Sequence, residues 1–517
     1  FDNLNKERGV FAMKINNNEQ RVCLIIPPSP FLLDERVFMS LGILSIAAVL
    51  EKAAMRVEVM DLSGVSNFKD VVKDHMRYFP KDGVWGFTAT TPQLPSVIEM
   101  VDLIKQTRSD IKTIIGGPHV TLVNAAYKHE MYHGTINGRA AQAMKKLENA
   151  FDVLLAGDGE EAIFLTLEHN LKEKLIDADN TKSPLFLNNA RFNGLPFPAR
   201  HLIDIESYRY SIDGFPALSL ITQLGCPFNC GFCGGRESPM LRKIRVREPE
   251  SVVEEMVHLY KATGRRGFML YDDELNVNKR MVSLMELITK AKKDLKTEWR
   301  LRGFIKSELF TSDQARAMRD AGFRWILVGF ESGSPGILKN INKKATREQN
   351  SNCVYIAREN ELKVKALMSI GHPGESAETI RDTEKWLLET RPNDFDVTII
   401  TCYPGTSYYD KVVPHSEKQN VWTYTSPKSG DKLHQIGVDY TKISDYYKGK
   451  PDGGYKSYVF TDYISGDELI SERDRIERNV RKILKIPYNP SSQAVQYEHS
   501  MGQSGIPSNI LRITKYK

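Results

Sequence analysis

Long apolar runs are missing from this sequence. No stretch reaches the roughly 18 apolar residues that a membrane-spanning helix requires, and the first residues lack the charged-then-apolar order of a secretory signal. Cysteine is scarce: six among 517 residues do not make a secreted disulfide framework, and a reducing cytoplasmic setting is expected. The net charge of +6 is dispersed, with no run of five or six Lys and Arg, so nucleic acid is not an expected partner. There is no repeat of solenoid period and no low-complexity tract. The chain opens on Phe1, and Met13 offers a natural start.

What is present is alternation. A chain of 517 residues predicts about three or four domains. From about residue 20 to 165, β-rich apolar runs ("RVCLIIPP", "RVEVMDL", "VWGFTAT", "TIIGGPH", "VLLAGDGE") alternate with helical patterns. That is the mark of a parallel, doubly wound α/β sheet of flavodoxin or Rossmann type. Its strands end in Pro, Gly, Thr and Asp, which suit close backbone approach by a ligand at one sheet edge. The connection from Asn124 to Ala150 is long for such a unit, carries a predicted helix over "GRAAQAMKKLENA", and reads as a lid or a surface excursion. Residues 172–215 are rich in Asn, Asp, Lys and Pro and read as a linker. Six further strand candidates, from "ALSLITQ" to "DFDVTIITCYPGT", alternate with helices over 216–414 and predict a partial (β/α)6 TIM-type barrel. Residues 415–517 form a mixed C-terminal region with one good helix in "GDELISERDRIERNVRKILKI".

Three cysteines stand together in "GCPFNCGFCGG", after the first barrel strand, where a barrel places its functional loops. Cys226, Cys230 and Cys233 are one ligand short of a tetrahedral site. Either a distant side chain completes a zinc knot, or the fourth position belongs to something other than the protein. Cys23, Cys353 and Cys402 are isolated on predicted strands or helices and read as buried, inert residues.

The C-x3-C-x2-C spacing, with an aromatic before the last cysteine, resembles the radical S-adenosylmethionine (SAM) enzymes. The resemblance implies a [4Fe–4S] cluster on Cys226, Cys230 and Cys233, whose fourth iron is chelated by SAM and delivers one electron to its sulfonium. It covers about residues 217–410. "YDDELNVN" is similar to the family's acidic motif, implying that Asp272, Asp273 or Glu274 accepts from the methionine ammonium. Arg302 in "WRLRGF" is similar in place to an arginine that pairs with the methionine carboxylate. "GFESGS" implies ribose or methionine contacts from Glu331 and Ser332. "GHPGES" and "CYPGTS" resemble turns around adenine, with Gly371, Pro373 and Tyr403, and Phe232 would lie against the base. Read without the resemblance, each fragment is a helix cap, a surface ion pair or a simple turn.

The first α/β unit resembles the cobalamin-binding domain joined to one branch of that family, which implies a five-stranded sheet holding the corrin at its carboxyl edge. Ser29, Thr88, Thr90, Thr91, Gly116, Gly117, His119, Gly157 and Gly159 occupy the loops expected to line it. The D-x-H-x-x-G pattern that supplies a lower cobalt ligand in many cobalamin proteins is absent, and His119 reads as a loop residue rather than a ligand. A sheet that only positions the barrel is the alternative.

The resemblance implies a methyltransferase acting on an unactivated carbon through a 5′-deoxyadenosyl radical and methylcobalamin, with Tyr271, Tyr403 and Cys402 near enough to strand ends to be tested. The alternatives are a radical cyclase, ring-rearranging or oxidative enzyme without methyl transfer, and a non-catalytic cobalamin or iron–sulfur sensor. The expected partners are a small-molecule, lipid, tetrapyrrole or peptide substrate and an electron donor such as flavodoxin or ferredoxin.

Overall fold

The computed structural model describes residues 20–29, 32, 35–168, 171–446 and 456–487. The candidate start Met13 lies outside the described residues.

The first strand runs over Arg21–Ile26 (β1) and alternates its burial between two cores. Val22, Leu24 and Ile26 pack with the helix Leu41–Lys52, while Cys23 and Ile25 face the other side of the sheet. A strand buried on both faces needs helices on both faces, which gives the doubly wound arrangement. Strands Arg56–Asp61 (β2), Val84–Thr88 (β3), Lys112–Gly116 (β4), Val153–Gly157 (β5) and Leu175–Ala178 (β6) join it, all parallel, in the order β2-β1-β3-β4-β5-β6. The order reverses between β1 and β3, where such sheets open a crevice at their carboxyl edge. There are six strands rather than the expected five. The sixth arises from "LIDA", inside the stretch read as linker, whose polar flanks hide a short edge strand. The long connection after β4 is two packed helices, Pro118–Tyr132 and Arg139–Ala150. Glu130 ties them by accepting from Ala140 N and Ala141 N at 2.8 and 2.9 Å, so this segment is part of the wall, not a lid.

The second sheet has strands Ser211–Ile212 (β7) and Phe215–Leu220 (β8). A two-residue ribbon follows, Gln223–Leu224 (β9) with Arg245–Val246 (β10). Gly267–Leu270 (β11), Arg300–Ile305 (β12), Phe323–Glu331 (β13), Lys363–Ile370 (β14) and Asp394–Ile399 (β15) complete the sheet, ordered β15-β14-β13-β12-β11-β8-β7. Six of these strands are parallel, and β7 runs antiparallel to β8. The sheet is the expected six-unit half-barrel, whose carboxyl edge carries the loops of interest.

An open barrel leaves an edge, and the C-terminal region covers it. Helix Gly466–Leu484 starts in a capping box of Ser465 and Glu468. Along β15, Val397 N donates to Glu477 at 2.8 Å, and Arg473 Nε donates to Val397 O at 3.0 Å. A four-stranded antiparallel sheet not anticipated from the sequence precedes this helix: Val412–Pro414 (β16), Val421–Thr425 (β17), Lys432–Ile436 (β18) and Val459–Thr461 (β19).

Buried ion pairs hold the two halves together. Arg245 of β10 lies 2.7 and 2.6 Å from the carboxylate oxygens of Asp158, just beyond β5, and both side chains are buried. Asp158 also accepts from Leu187 N at 3.0 Å. Asp158→Ala would strand the Arg245 charge, and a loss of about 3–5 kcal/mol is expected in denaturant unfolding. Asp158→Ala combined with Arg245→Met is expected to recover most of it.

Candidate functional site at the facing sheet edges

The cysteine loop begins at Gly225, whose φ is +86° and where a Cβ would come within 2.3 Å of the Lys243 carbonyl oxygen, so no side chain fits. Cys226 N then donates to Leu241 O at 3.0 Å, Gly231 N to Ile341 O at 2.9 Å, and Arg236 N to Gly405 O at 3.1 Å. The downstream part of the same excursion, at Leu241, and the loops following β13 and β15 thus pin the trio at the carboxyl edge. Burial pushes the Cys226 thiol up to about 11, so a thiolate there requires a cation beside it. Arg236 Nη2 already sits 3.5 Å from Cys233 Sγ.

The donor set suits a cluster better than one ion. Tetrahedral zinc with bonds of about 2.3 Å would draw its sulfurs to about 3.8 Å. Among the described residues, the one group of three His, Cys, Asp or Glu donor atoms within 4.8 Å of one another is Cys23, Glu58 and His75. The three loop sulfurs are not all within that distance of one another, which is compatible with thiolates on separate irons.

Around the trio runs a buried hydrogen-bonded chain. Glu331 closes β13 at a register shift, with φ of +66°. Its Oε1 is 3.0 Å from Lys343 Nζ, and its Oε2 accepts from Ser369 Oγ at 2.8 Å. Ser369 Oγ in turn lies 2.8 Å from His372 Nε2. Despite burial, Lys343 holds the Glu331 carboxyl below its ordinary value. Burial pushes His372 down to about 4, so its ring is neutral at pH 7. Phe232 meets that ring edge-on at 5.3 Å. Burial raises Glu274 to about 7, against the pull of Lys343 and Lys306.

Other expected residues are placed differently. Asp272 turns back to the β8 end, accepting from Thr222 N at 2.6 Å, Gln223 N at 3.0 Å and the Thr222 hydroxyl. Asp273 faces the Gly225 backbone and Arg236. Arg302 lies within β12, low in the barrel, 5.6 Å from the Trp325 ring and beside Tyr210. Lys306, just past the end of the strand, is buried with its Nζ 2.9 Å from Glu308. The Ser332 hydroxyl is 3.1 Å from that of Thr383. Gly371, at φ of +90°, donates its N–H to Glu375 at 3.1 Å, and the Pro373 carbonyl accepts from Asn340 at 2.8 Å. Tyr403 joins Tyr440 and Tyr446 in an aromatic cluster against the first domain. Cys23, Cys353 and Cys402 are buried.

The first sheet's edge opens into a mainly apolar cavity of about 360 Å³. Leu24, Gly86, Ile114 and Leu155 form its sheet wall; Thr88, Thr90, Gly116, Gly117, Gly157 and Gly159 lie at its rim. A Cβ on Gly86 would come within 2.8 Å of Leu24, and one on Gly117 within 2.5 Å of the Thr88 hydroxyl. Glycine at these positions keeps a slot that fits a flat ring or a nucleotide tail. Ile221, Leu224, Met240 and Leu241 line the opposite side, so the cavity reaches to within two residues of Cys226. Ser29, Thr91 and His119 do not line it. Ser29 Oγ accepts from Gln93 at 2.9 Å, and His119 Nδ1 lies 3.0 Å from the Thr91 hydroxyl. Burial lowers His119 to about 4. His119→Asn is expected to leave cobalamin stoichiometry and its visible spectrum unchanged.

The Radical SAM superfamily model matches residues 220–387, and the B12 binding domain model matches residues 35–148. The chain is a radical SAM enzyme with a B12-binding domain. The two domains imply a [4Fe–4S] cluster, SAM and cobalamin, and the cysteine loop, the chain at Glu331 and the slotted cavity fit those groups. This radical SAM enzyme is 25% identical to an uncharacterized methyltransferase of Pyrococcus horikoshii over 77% of this chain and 84% of that one. It is 24% identical to the anaerobic magnesium-protoporphyrin IX monomethyl ester cyclase of Rubrivivax gelatinosus, over 70% of this chain and 64% of that protein. The fold is similar to the radical SAM methyltransferase TsrM of Kitasatospora setae, solved with cobalamin and a [4Fe–4S] cluster. The TM-score there is 0.59 at 16% identity, covering 86% of this chain and 88% of that one. No helix among the described residues is long and apolar enough to cross a membrane.

Proposed function

We propose that this radical SAM enzyme is a methyltransferase that places a methyl group on an unactivated substrate carbon, by way of a 5′-deoxyadenosyl radical. The observation that carries the reading is the shared cavity: Gly117 and Gly157 at the first sheet's edge and Leu224 and Leu241 beside the cysteine loop line one space. When bound, the cluster supplies an electron to SAM, and cobalamin supplies a methyl carrier. Cys226, Cys230 and Cys233 hold the cluster, and the edge-on Phe232 and His372 rings bound the SAM side. Lys343, with Glu331 and Glu274, fixes charge at the mouth. The glycine rim keeps the cobalamin slot open toward the barrel, which brings the reacting groups into one water-poor space. The named methyltransferase among the relatives supports the reading.

A second reading is favoured by the relatives named as cyclases: a radical cyclisation or oxidation without methyl transfer. The substrate class spans small metabolites, lipids, tetrapyrroles and peptides, and the electron donor is a flavodoxin or ferredoxin of the cytoplasm. Residues 1–171, 172–215, 216–414 and 415–517 are proposed as the cobalamin domain, linker, barrel and accessory region. Turnover with SAM carrying a labelled methyl group separates the readings. Label in the product skeleton supports methylation; turnover that yields unlabelled product supports the cyclase reading. A reconstituted, reduced protein that releases no deoxyadenosine would instead be a sensor.

A further inference from the structure

On the sheet face opposite the cavity, Cys23 is the register partner of Glu58 on β2 and of Trp85 on β3. Register partners in parallel strands point the same way, so these three side chains stand in a row. Helix Phe68–Tyr78 lies over that face and brings His75 Nε2 to 2.7 Å from Glu58 Oε1. One donor atom each from Cys23, Glu58 and His75 falls within 4.8 Å of the others. The second carboxylate oxygen, Oε2, accepts from Arg21 Nη2 at 2.6 Å, which fixes the carboxylate with Oε1 turned to the histidine. The rings of Phe79 and Trp85, 5.6 and 5.7 Å from that of His75, wall the cluster. Trp85 has no exposed surface, and its indole Nε1 has no hydrogen-bond partner.

An ion pair of Arg21 and His75 with Glu58 accounts for the carboxylate and the imidazole. It does not account for a fully buried thiol within reach of both the carboxylate and the imidazole, nor for an indole N–H with nothing to donate to. We infer that Cys23 Sγ, Glu58 Oε1 and His75 Nε2 form a binding site for a divalent zinc-class ion, with a water as fourth ligand accepting from Trp85 Nε1. Thiolate, imidazole and carboxylate together suit borderline-soft zinc over calcium or magnesium. Arg21 is the outer partner that ligating carboxylates ordinarily have. Binding exchanges the Cys23 thiol proton for the ion, the proton leaving to solvent, so affinity rises with pH. Glu58 and His75 side chains retain 14% and 12% exposure, which gives the ion a way in. The ion would clamp the helix onto β1 and β2, away from the cavity, and it does not depend on the proposed methyl transfer.

The test uses the full chain carrying its cluster and cobalamin, with the metal alone as probe. One zinc per chain beyond the cluster iron is expected, with one sulfur among its ligands by X-ray absorption. Cobalt substitution should give a thiolate-to-cobalt charge-transfer band. Cys23→Ser should remove the band, and His75→Gln or the isosteric Glu58→Gln should weaken zinc binding about 10–100-fold. Cobalt bound to wild-type protein without a thiolate band would overturn the assignment, even if the variants fail to fold. So would zinc that persists in Cys23→Ser and is lost only when Cys226, Cys230 and Cys233 are replaced.

Discussion

Replacing Cys226, Cys230 and Cys233 together by alanine is expected to bring iron content from about four per chain to near zero and to lower deoxyadenosine release from SAM at least ~1000-fold. The size follows from the role. These thiolates hold the electron source, and without it the sulfonium has no route to homolysis. Removing one is expected to cost nearly as much as removing three, since the ligands act as a unit. The backbone of the loop should tolerate the change: its bonds run from main-chain groups to Leu241, Ile341 and Gly405, none of which involves sulfur. Cobalamin stoichiometry should therefore remain at the wild-type level, because the slot is lined from the first sheet and by neighbours of the loop, not by the cysteines themselves. Retained cobalamin with lost iron locates the defect at the cluster.

The second large effect is at Lys343, whose side chain is 5% exposed and whose Nζ is 3.0 Å from Glu331. Lys343→Met leaves Glu331 as an uncompensated buried charge, and the loss in unfolding free energy is expected at about 3–5 kcal/mol at pH 7. The pH dependence changes sign. In the wild type the folded Glu331 pKa is depressed, so its stabilising contribution is present above the unfolded value and is lost as pH falls through the folded one. In the variant, burial without the cation raises the folded pKa, and stability falls as pH rises through it. Urea unfolding between pH 5 and 8 should show Lys343→Met closest to wild type at the acid end. Adding Glu331→Gln should recover much of the loss. A variant equally destabilised at both ends would contradict the charge account.

These effects also mark where sequence reasoning reached its limit. The parallel strands of both sheets were legible because β1 and the barrel strands are short apolar runs between turn residues, and the cysteine trio because its spacing is local. The strand of residues 175–178 was not, since four residues with an Asp carry too little pattern. The C-terminal sheet was not either, because its strands are short and one face is polar. Lys306 and Lys343 carried no signal in the sequence: burial of a cation is decided by partners such as Glu274 and Glu331, which only the fold brings to them. The end of β12 was legible, since "WRLRGF" stops one residue short of Ile305; that Arg302 packs beside Trp325 and Tyr210 was not, because those partners lie on other segments. His372 was passed over inside a Gly-Pro turn, although "GHPGES" carried it in plain view. Cys23 was read as an inert strand residue because Glu58 and His75 meet it only through sheet register and helix placement.

The central claim, that the cysteine trio leaves one cluster iron to SAM, is tested most directly by electron–nuclear double resonance. The measurement uses the reduced, cobalamin-loaded protein with SAM labelled at its amino nitrogen and carboxylate oxygens. The account predicts hyperfine coupling of both labels to the cluster. A fully assembled cluster, with SAM bound and neither label coupled, would contradict it.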